Sequence, residues 1–355
     1  MKVYYLLILN MFLLFGVNYQ INVRHTGSSK QQLIQNGIKI LVVSILALVA
    51  GLRYNVGTDY YNYYISYEFF KTSPLVLNDE PGIKIIARIA SYIFDEPATM
   101  IFLAAVITVV LMTVTIIQNS DIYWISIILY IFLGCWHGCF NGVRQYLAAA
   151  ILFAGHHLIK EKNFLKWCVI VFLASMFHIT AIVGILFYFF SKTKISIKQV
   201  VISIIVIYFG IQAYDLVFNF IGFLKSETFD FEGVGAGYLT NSINLFRILV
   251  AWVPVLFFWI FNKYYDKEND KFRFYMNMTF LHAILMTAAM NSTYLGRVGI
   301  YTGIYNTLTW PLLIDKVESR SKKILIGIMM IFYFLYWRTE AMGPSLNNFQ
   351  WIFQR

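Results

Sequence analysis

Charge is scarce in this sequence. Only 13% of its residues are charged, about half the roughly 25% of a soluble domain, so the chain lacks the polar surface that a water-soluble fold requires. Cysteine is nearly absent, with Cys135, Cys139 and Cys168 as the three, and that excludes a disulfide framework. Cys135 and Cys139 bracket His137, but a lone C-x-H-x-C has neither a fourth ligand nor a second pair, so no metal is expected there. No small-residue cleavage site follows the apolar stretch from Met1 to Phe15: Val17, Asn18, Tyr19 and Gln20 do not fit one. That stretch reads as a first membrane helix. No internal repeat, low-complexity tract or linker divides the chain, which reads as one integral membrane domain over residues 1–355.

What is present is apolar and aromatic. Apolar residues make up 59% and aromatics 18%, with 25 Tyr and 32 Phe, as suits helix ends placed at two lipid–water interfaces. The net charge of +10 lies in short loops rather than in one patch, which argues against nucleic acid as a partner and for the positive-inside rule. A span needs about 20 mostly apolar residues. By that measure helices are expected near 3–20, 35–52, 98–118, 122–138, 142–158, 198–222, 244–262, 273–292, 297–314 and 322–338. Lysines and arginines place the loops holding Arg24, Lys160, Lys263 and Lys322 on the cytoplasmic side. Lys166 and Lys192 put both flanks of 164–190 on that side as well, so this segment must fold back as a hairpin of two short spans with its tip near 176–179. The expectation is an all-α polytopic membrane protein of about 11–12 transmembrane helices. Two larger loops, 53–97 and 223–243, face outward, and the first contains an amphipathic helix at 80–94 whose Lys84 and Arg88 alternate with Ile83, Ile86, Ala87 and Ala90.

This topology gathers ionisable residues on the outward side, where positive charge is normally sparse. Arg53, Arg144, Arg247 and Arg297 all fall at outer helix ends, and His178 falls at the hairpin tip. Guanidinium presents a planar fork matched to phosphate oxygens, and the first turn of a helix also favours an anion. The four arginines therefore read as a pyrophosphate site. Asp59, Glu80 and His178 are the candidates to orient or deprotonate a hydroxyl. Tyr60 and Tyr61, in the cluster from Tyr60 to Tyr64, offer stacking faces with polar tips for a sugar, and Gln145 a hydrogen-bonding amide. His156 and His157 fall at an inner helix end and read as interfacial. The pair Asp230 and Glu232 has too weak a context to be read as a metal site.

Several segments resemble the EpsG branch of bacterial polysaccharide polymerases, which is related to the Wzy-type O-antigen polymerases. They are Gly51-Leu52-Arg53 through Gly57-Thr58-Asp59-Tyr60, then Glu80-Pro81-Gly82, Asn141-Gly142-Val143-Arg144-Gln145-Tyr146-Leu147-Ala148, and Ala174-Ser175-Met176-Phe177-His178-Ile179-Thr180-Ala181. The second half, with Arg247 and Arg297, is similar mainly in hydropathy and in its outer arginines. The resemblance implies a GT-C-like glycosyltransferase of the bacterial cytoplasmic (inner) membrane, with its active site facing outward. Its substrates would be an undecaprenyl-pyrophosphate-linked oligosaccharide donor and acceptor, it would use no cofactor or metal, and a chain-length regulator would be a further partner. A ligase using the same donor and a lipid-linked sugar transporter are the competing readings; a transporter should show broken helices at mid-membrane.

Overall fold

The computed structural model describes residues 1–24, 29–77, 79–193, 205, 243–291 and 293–355. The expected span 198–222, apart from residue 205, and the expected loop 223–243 up to residue 242 lie outside the described residues. Asp230 and Glu232 fall there too. The described chain is an all-α polytopic membrane architecture. Its one strand pairing is a two-residue antiparallel ladder, Arg53–Tyr54 against Gln350–Trp351.

Four of the described helices are long and apolar enough to cross a bilayer: Lys2–Ile21, Ser29–Gly51, Pro97–Asn119 and Ser319–Ala341. At 1.5 Å per residue, 23 residues cover about 35 Å, slightly more than the ~30 Å hydrocarbon core. The other apolar helices are shorter, because several expected spans are interrupted. The segment 122–138 forms a helix at Tyr123–Phe132, breaks at Gly134 in a left-handed conformation (φ 82°), and resumes as the turn Cys135–Gly138. The segment 297–314 is divided into Thr293–Val298, Ile300–Gly303 and Asn306–Asp315. Broken backbone is tolerated at membrane depth where it lines a cavity, and Gly134, Gly299 and Gly303 all line one.

The segment 164–190 folds back on itself. Helix Phe164–Ser175 is answered by Ile179–Phe190. Three contacts fix the antiparallel register. Trp167 Nε1 donates to the Gly184 carbonyl at 2.9 Å, Tyr188 Oη donates to the Lys162 carbonyl at 2.8 Å, and the Phe164 and Tyr188 rings lie 4.8 Å apart. Twelve residues rise only about 18 Å, so each arm stops short of a full crossing.

The helix ends sort into two groups. At one end the Met1 amino group donates to the Asn347 carbonyl at 2.6 Å, and the C-terminal tail pairs with Arg53–Tyr54. At the other, Lys160 reaches Asn119 at 3.2 Å, Lys271 pairs with Asp121 at 2.9 Å, and Tyr265 Oη donates to the Leu313 carbonyl at 2.8 Å. These are the groupings that the loop charges require. His156 departs from expectation. It is fully buried rather than interfacial, stacked between Phe153 and Phe274 with Nε2 2.9 Å from Tyr275 Oη, whereas His157 is exposed.

The helix expected at 80–94 is observed at Pro81–Ile93, with Ile83, Ile86, Ala87 and Ala90 buried. Its polar face is not the expected one. Lys84 is only 2% exposed, paired with Asp79 and donating to the Pro74 carbonyl, and Arg88 donates to the Lys71 and Ser73 carbonyls. Ile85, Ile89, Tyr92 and Ile93 face outward instead. The helix thus carries apolar residues on both its buried and its exposed faces.

In a cysteine-free background, Lys162→Cys and Lys192→Cys, both at exposed positions, are expected to react with an impermeant maleimide from the same side of the membrane. Labelling of the two from opposite sides would overturn the hairpin.

Candidate functional site

The end of the molecule that carries the tail is built from four segments pinned together by backbone bonds. Gly57 adopts φ 99°, and a Cβ there would lie 2.5 Å from the Phe140 carbonyl oxygen, so only glycine allows this approach. The approach lets Thr58 N donate to Asn141 Oδ1 at 2.8 Å and Gly57 N donate to the Ser345 carbonyl at 3.3 Å. Gly82 N donates to the Met176 carbonyl at 2.8 Å, which locks the start of helix Pro81–Ile93 onto the hairpin tip. The glycine is required here too, because a Cβ would stand 2.5 Å from the Phe177 ring.

These anchors bring Glu80, Arg144 and His178 together. Glu80 is 3% exposed and joins elements 64 and 98 residues away in sequence. Its Oε2 accepts from Arg144 Nη1 at 2.6 Å, and its Oε1 accepts from His178 Nδ1 and Ile179 N, each at 3.1 Å. Arg144 also donates from Nε to Tyr63 Oη at 3.1 Å. The Glu80 backbone is left-handed (φ 45°, ψ 59°) directly before Pro81. A non-glycine residue there is strained by roughly 1–3 kcal/mol, and the charge-assisted bonds offset that strain. A carboxylate with both oxygens occupied positions other groups better than it takes a proton.

Asp59 is the open carboxylate. It is half-buried, accepts from Thr58 Oγ1 at 3.2 Å, and lies in the field of both Arg297 and Arg144. Burial pushes its carboxyl above the usual range, opposed by the Thr58 hydroxyl and the two arginines.

Arg247 and Arg297 line one cavity of about 310 Å³, with Asn141, Gln145 and His137 also in its wall. Gln145 is 5% exposed and donates from Nε2 to the Arg297 carbonyl at 3.0 Å, so it holds the arginine's backbone. Arg247 donates to the Glu340 carbonyl at 2.6 Å and pairs with its carboxylate at 3.6 Å, which ties the cavity rim to the tail. Arg144 and Arg247 lie in the first turn of their helices, as expected. Arg297 instead ends the short helix Thr293–Val298, because the Gly-rich stretch after it is broken.

Two expectations are corrected. Arg53 does not line this cavity. It is 1% exposed, bonded to the Ala50 carbonyl, with its guanidinium 4.4 Å from the Phe140 ring centroid and 5.9 Å from that of Tyr60. Aromatic faces take its charge where an outward position had been expected. Tyr60, at 2% exposure, belongs to that same packed group and leaves no open face for a sugar, whereas Tyr61 is exposed. The C-x-H-x-C stretch is committed internally: His137 Nε2 bonds to the Ala341 carbonyl at 2.9 Å and Cys139 Sγ to the Trp136 carbonyl at 2.9 Å. Sequence reasoning gave no role to Asn141, which opens one of the matching segments, or to Tyr63, which lies in the tyrosine cluster, and it passed over Glu340, which carried no signal.

The EpsG family profile matches residues 38–352. The chain belongs to the EpsG family, a Wzy-like family of polysaccharide polymerases. Searches of curated proteins and of solved structures returned no match.

Glu80→Ala is expected to destabilise the protein by about 2–3 kcal/mol, below the 3–5 kcal/mol of a fully buried pair, because the Arg144 side chain keeps 37% of its exposure. Glu80→Gln, which keeps an acceptor for His178 and Ile179, should lose less. Thermal unfolding of the detergent-solubilised protein measures both. Equal losses would mean that the Arg144 pair dominates and that the hairpin-tip bonds contribute little.

Proposed function

We propose that this protein polymerises polyprenyl-pyrophosphate-linked oligosaccharide repeat units, of the undecaprenyl type, on the outer face of the bacterial cytoplasmic membrane. The observation that carries the reading is one half-buried carboxylate, Asp59, in the field of Arg144 and Arg297, within a family of polysaccharide polymerases. The acceptor hydroxyl oxygen attacks the anomeric carbon of the donor. The bond from that carbon to the pyrophosphate oxygen breaks, and the electron pair leaves on the pyrophosphate. The hydroxyl proton passes to Asp59.

Arginines at the leaving group stabilise charge that grows in the transition state, and this lowers the barrier without a divalent ion. Arg247 and Arg297 hold the pyrophosphate in the cavity. Arg144, aligned by Glu80 and Tyr63, sets the field at Asp59, and His178 supports Glu80. Arg53 has no part in phosphate binding on this reading; it braces the outer turn. The broken helices that line the cavity are also what a transporter would show; the family membership favours the polymerase.

The test is the lipid-linked glycan of a null strain complemented with variants at matched protein levels. Asp59→Asn is expected to accumulate single repeat units and make only traces of polymer. Arg144→Lys keeps the charge but loses the fork. The lysine ammonium cannot meet Glu80 and Tyr63 together as the fork does, so the charge that faces Asp59 shifts and polymerisation is expected to fall about ten-fold, read as shortened chains. Wild-type chains from both variants would overturn the site. Full-length polymer that stays lipid-linked in the null strain would point to a ligase.

Asp59 must be ionised to accept a proton, and burial raises its pKa. Polymerisation by the reconstituted protein is therefore expected to fall as pH drops through a midpoint above 3.8, the ordinary aspartate value. In Asp59→Glu, which keeps a base, residual activity should retain an acid limb, whereas the trace activity of Asp59→Asn should not. A pH profile with the same acid limb in Asp59→Asn would assign that limb to another group.

A further inference from the structure

Helix Pro81–Ile93 turns its charges inward and its isoleucines outward. The exposed positions are Ile85, Ile89, Tyr92 and Ile93, spaced i, i+4, i+7 and i+8, which is one stripe along one face. Tyr92 is 90% exposed and Ile93 53%. The extended stretch before the helix adds Leu75, Val76 and Leu77, all exposed. Lys84 and Arg88 point the other way, toward Asp79 and the carbonyls of Pro74, Lys71 and Ser73. Asp79, exposed at the start of the helix, is paired with Lys84 rather than left as a free charge. Water would favour the opposite rotation, with the lysine and arginine outward. A helix apolar on both faces is enclosed by protein or by lipid, and no described residue covers the stripe.

The connection to the next helix says where the stripe lies. Only Phe94, Asp95 and Glu96 join it to Pro97–Asn119, which is long and apolar enough to cross a bilayer. The two helices pack together, and Ile83, Ile86, Ala87 and Ala90 share one buried cluster with Met100, Ile101 and Ala104. Ala104 lies about 10 Å from the start of that span, within one leaflet of a hydrocarbon core ~30 Å thick. Charge gathers at the turn instead. Asp95 accepts from Tyr67 Oη at 2.7 Å and pairs with Lys71 at 3.0 Å, and Glu96 pairs with Arg355 at 2.6 Å. The turn therefore marks the water edge, and the stripe runs from it alongside the span.

We propose that the exposed stripe of helix Pro81–Ile93, together with Leu75, Val76 and Leu77, is a lipid-contact surface seated among the acyl chains of one leaflet. The stretch 75–93, which hydropathy and length read as part of a water-facing loop, is then an element that dips into the membrane. Its lipid seat is tied to the site, because Glu80 stands at the start of this helix and Gly82 N is bonded to the hairpin tip at Met176.

The test places a nitroxide on single cysteines at Ile85 and Ile89 in a cysteine-free background. Glu68→Cys, at a side chain 69% exposed near the charged turn, is the water-facing reference. The full-length protein is reconstituted in vesicles of phosphatidylethanolamine and phosphatidylglycerol. Power saturation then compares collisions with oxygen, which concentrates in hydrocarbon, and with a nickel chelate, which stays in water. Ile85→Cys and Ile89→Cys are expected to collide with oxygen several-fold more, relative to nickel, than Glu68→Cys does. Nickel-dominated collisions at both positions would overturn the surface by showing the stripe in water. Scarce collisions with either reagent would also overturn it, because they would show that protein covers the stripe.

Discussion

The buried carboxylate of Glu80 is the interaction on which the tail-bearing end of this protein depends. It joins the loop before helix Pro81–Ile93, the helix starting at Val143 and the hairpin tip at once, through Arg144, His178 and Ile179. A carboxylate out of water is stable only when its oxygens are taken by donors, so burying Glu80 forces those three elements into one arrangement. The left-handed backbone before Pro81 is part of the same constraint, because strain of that kind persists only where surrounding contacts fix it. The consequence reaches Asp59, whose environment is set by where Arg144 stands.

A division of labour follows. Arg297 and Arg247 line an open cavity, where a planar guanidinium is suited to a mobile anion. Arg144 is committed to a buried partner and influences Asp59 through its field. Arg53 is further removed, enclosed by aromatic rings. One residue type at one expected depth thus serves three physical ends, and the differences arise from what each guanidinium meets.

The broken helices belong to the same logic. A membrane helix satisfies its own backbone, so an unbroken bundle presents only side chains to its interior. Interrupting the chain at Gly134 and Gly299 opens room for cavities and turns carbonyls such as those of Ala341 and Gly299 toward His137 and His282. Those carbonyls fix histidine tautomers and thereby decide which ring nitrogens remain acceptors. Small residues at the breaks give the cavities their shape.

Much of this was determined by the sequence alone. The scarcity of charge, the apolar runs and the lysines flanking 164–190 were enough to require a polytopic bundle with one fold-back, because hydrophobic length and loop charge act locally and leave their mark residue by residue. The motifs around Asp59, Glu80, Arg144 and His178 were legible for the same reason, and they pointed to the family. What only the tertiary structure decided was partnership. Sequence spacing cannot show that Glu80 meets Arg144 across 64 residues, that Phe140 encloses Arg53, or that Lys84 turns inward to Asp79, since the free energy of a charge depends on its surroundings and those are assembled from distant parts of the chain.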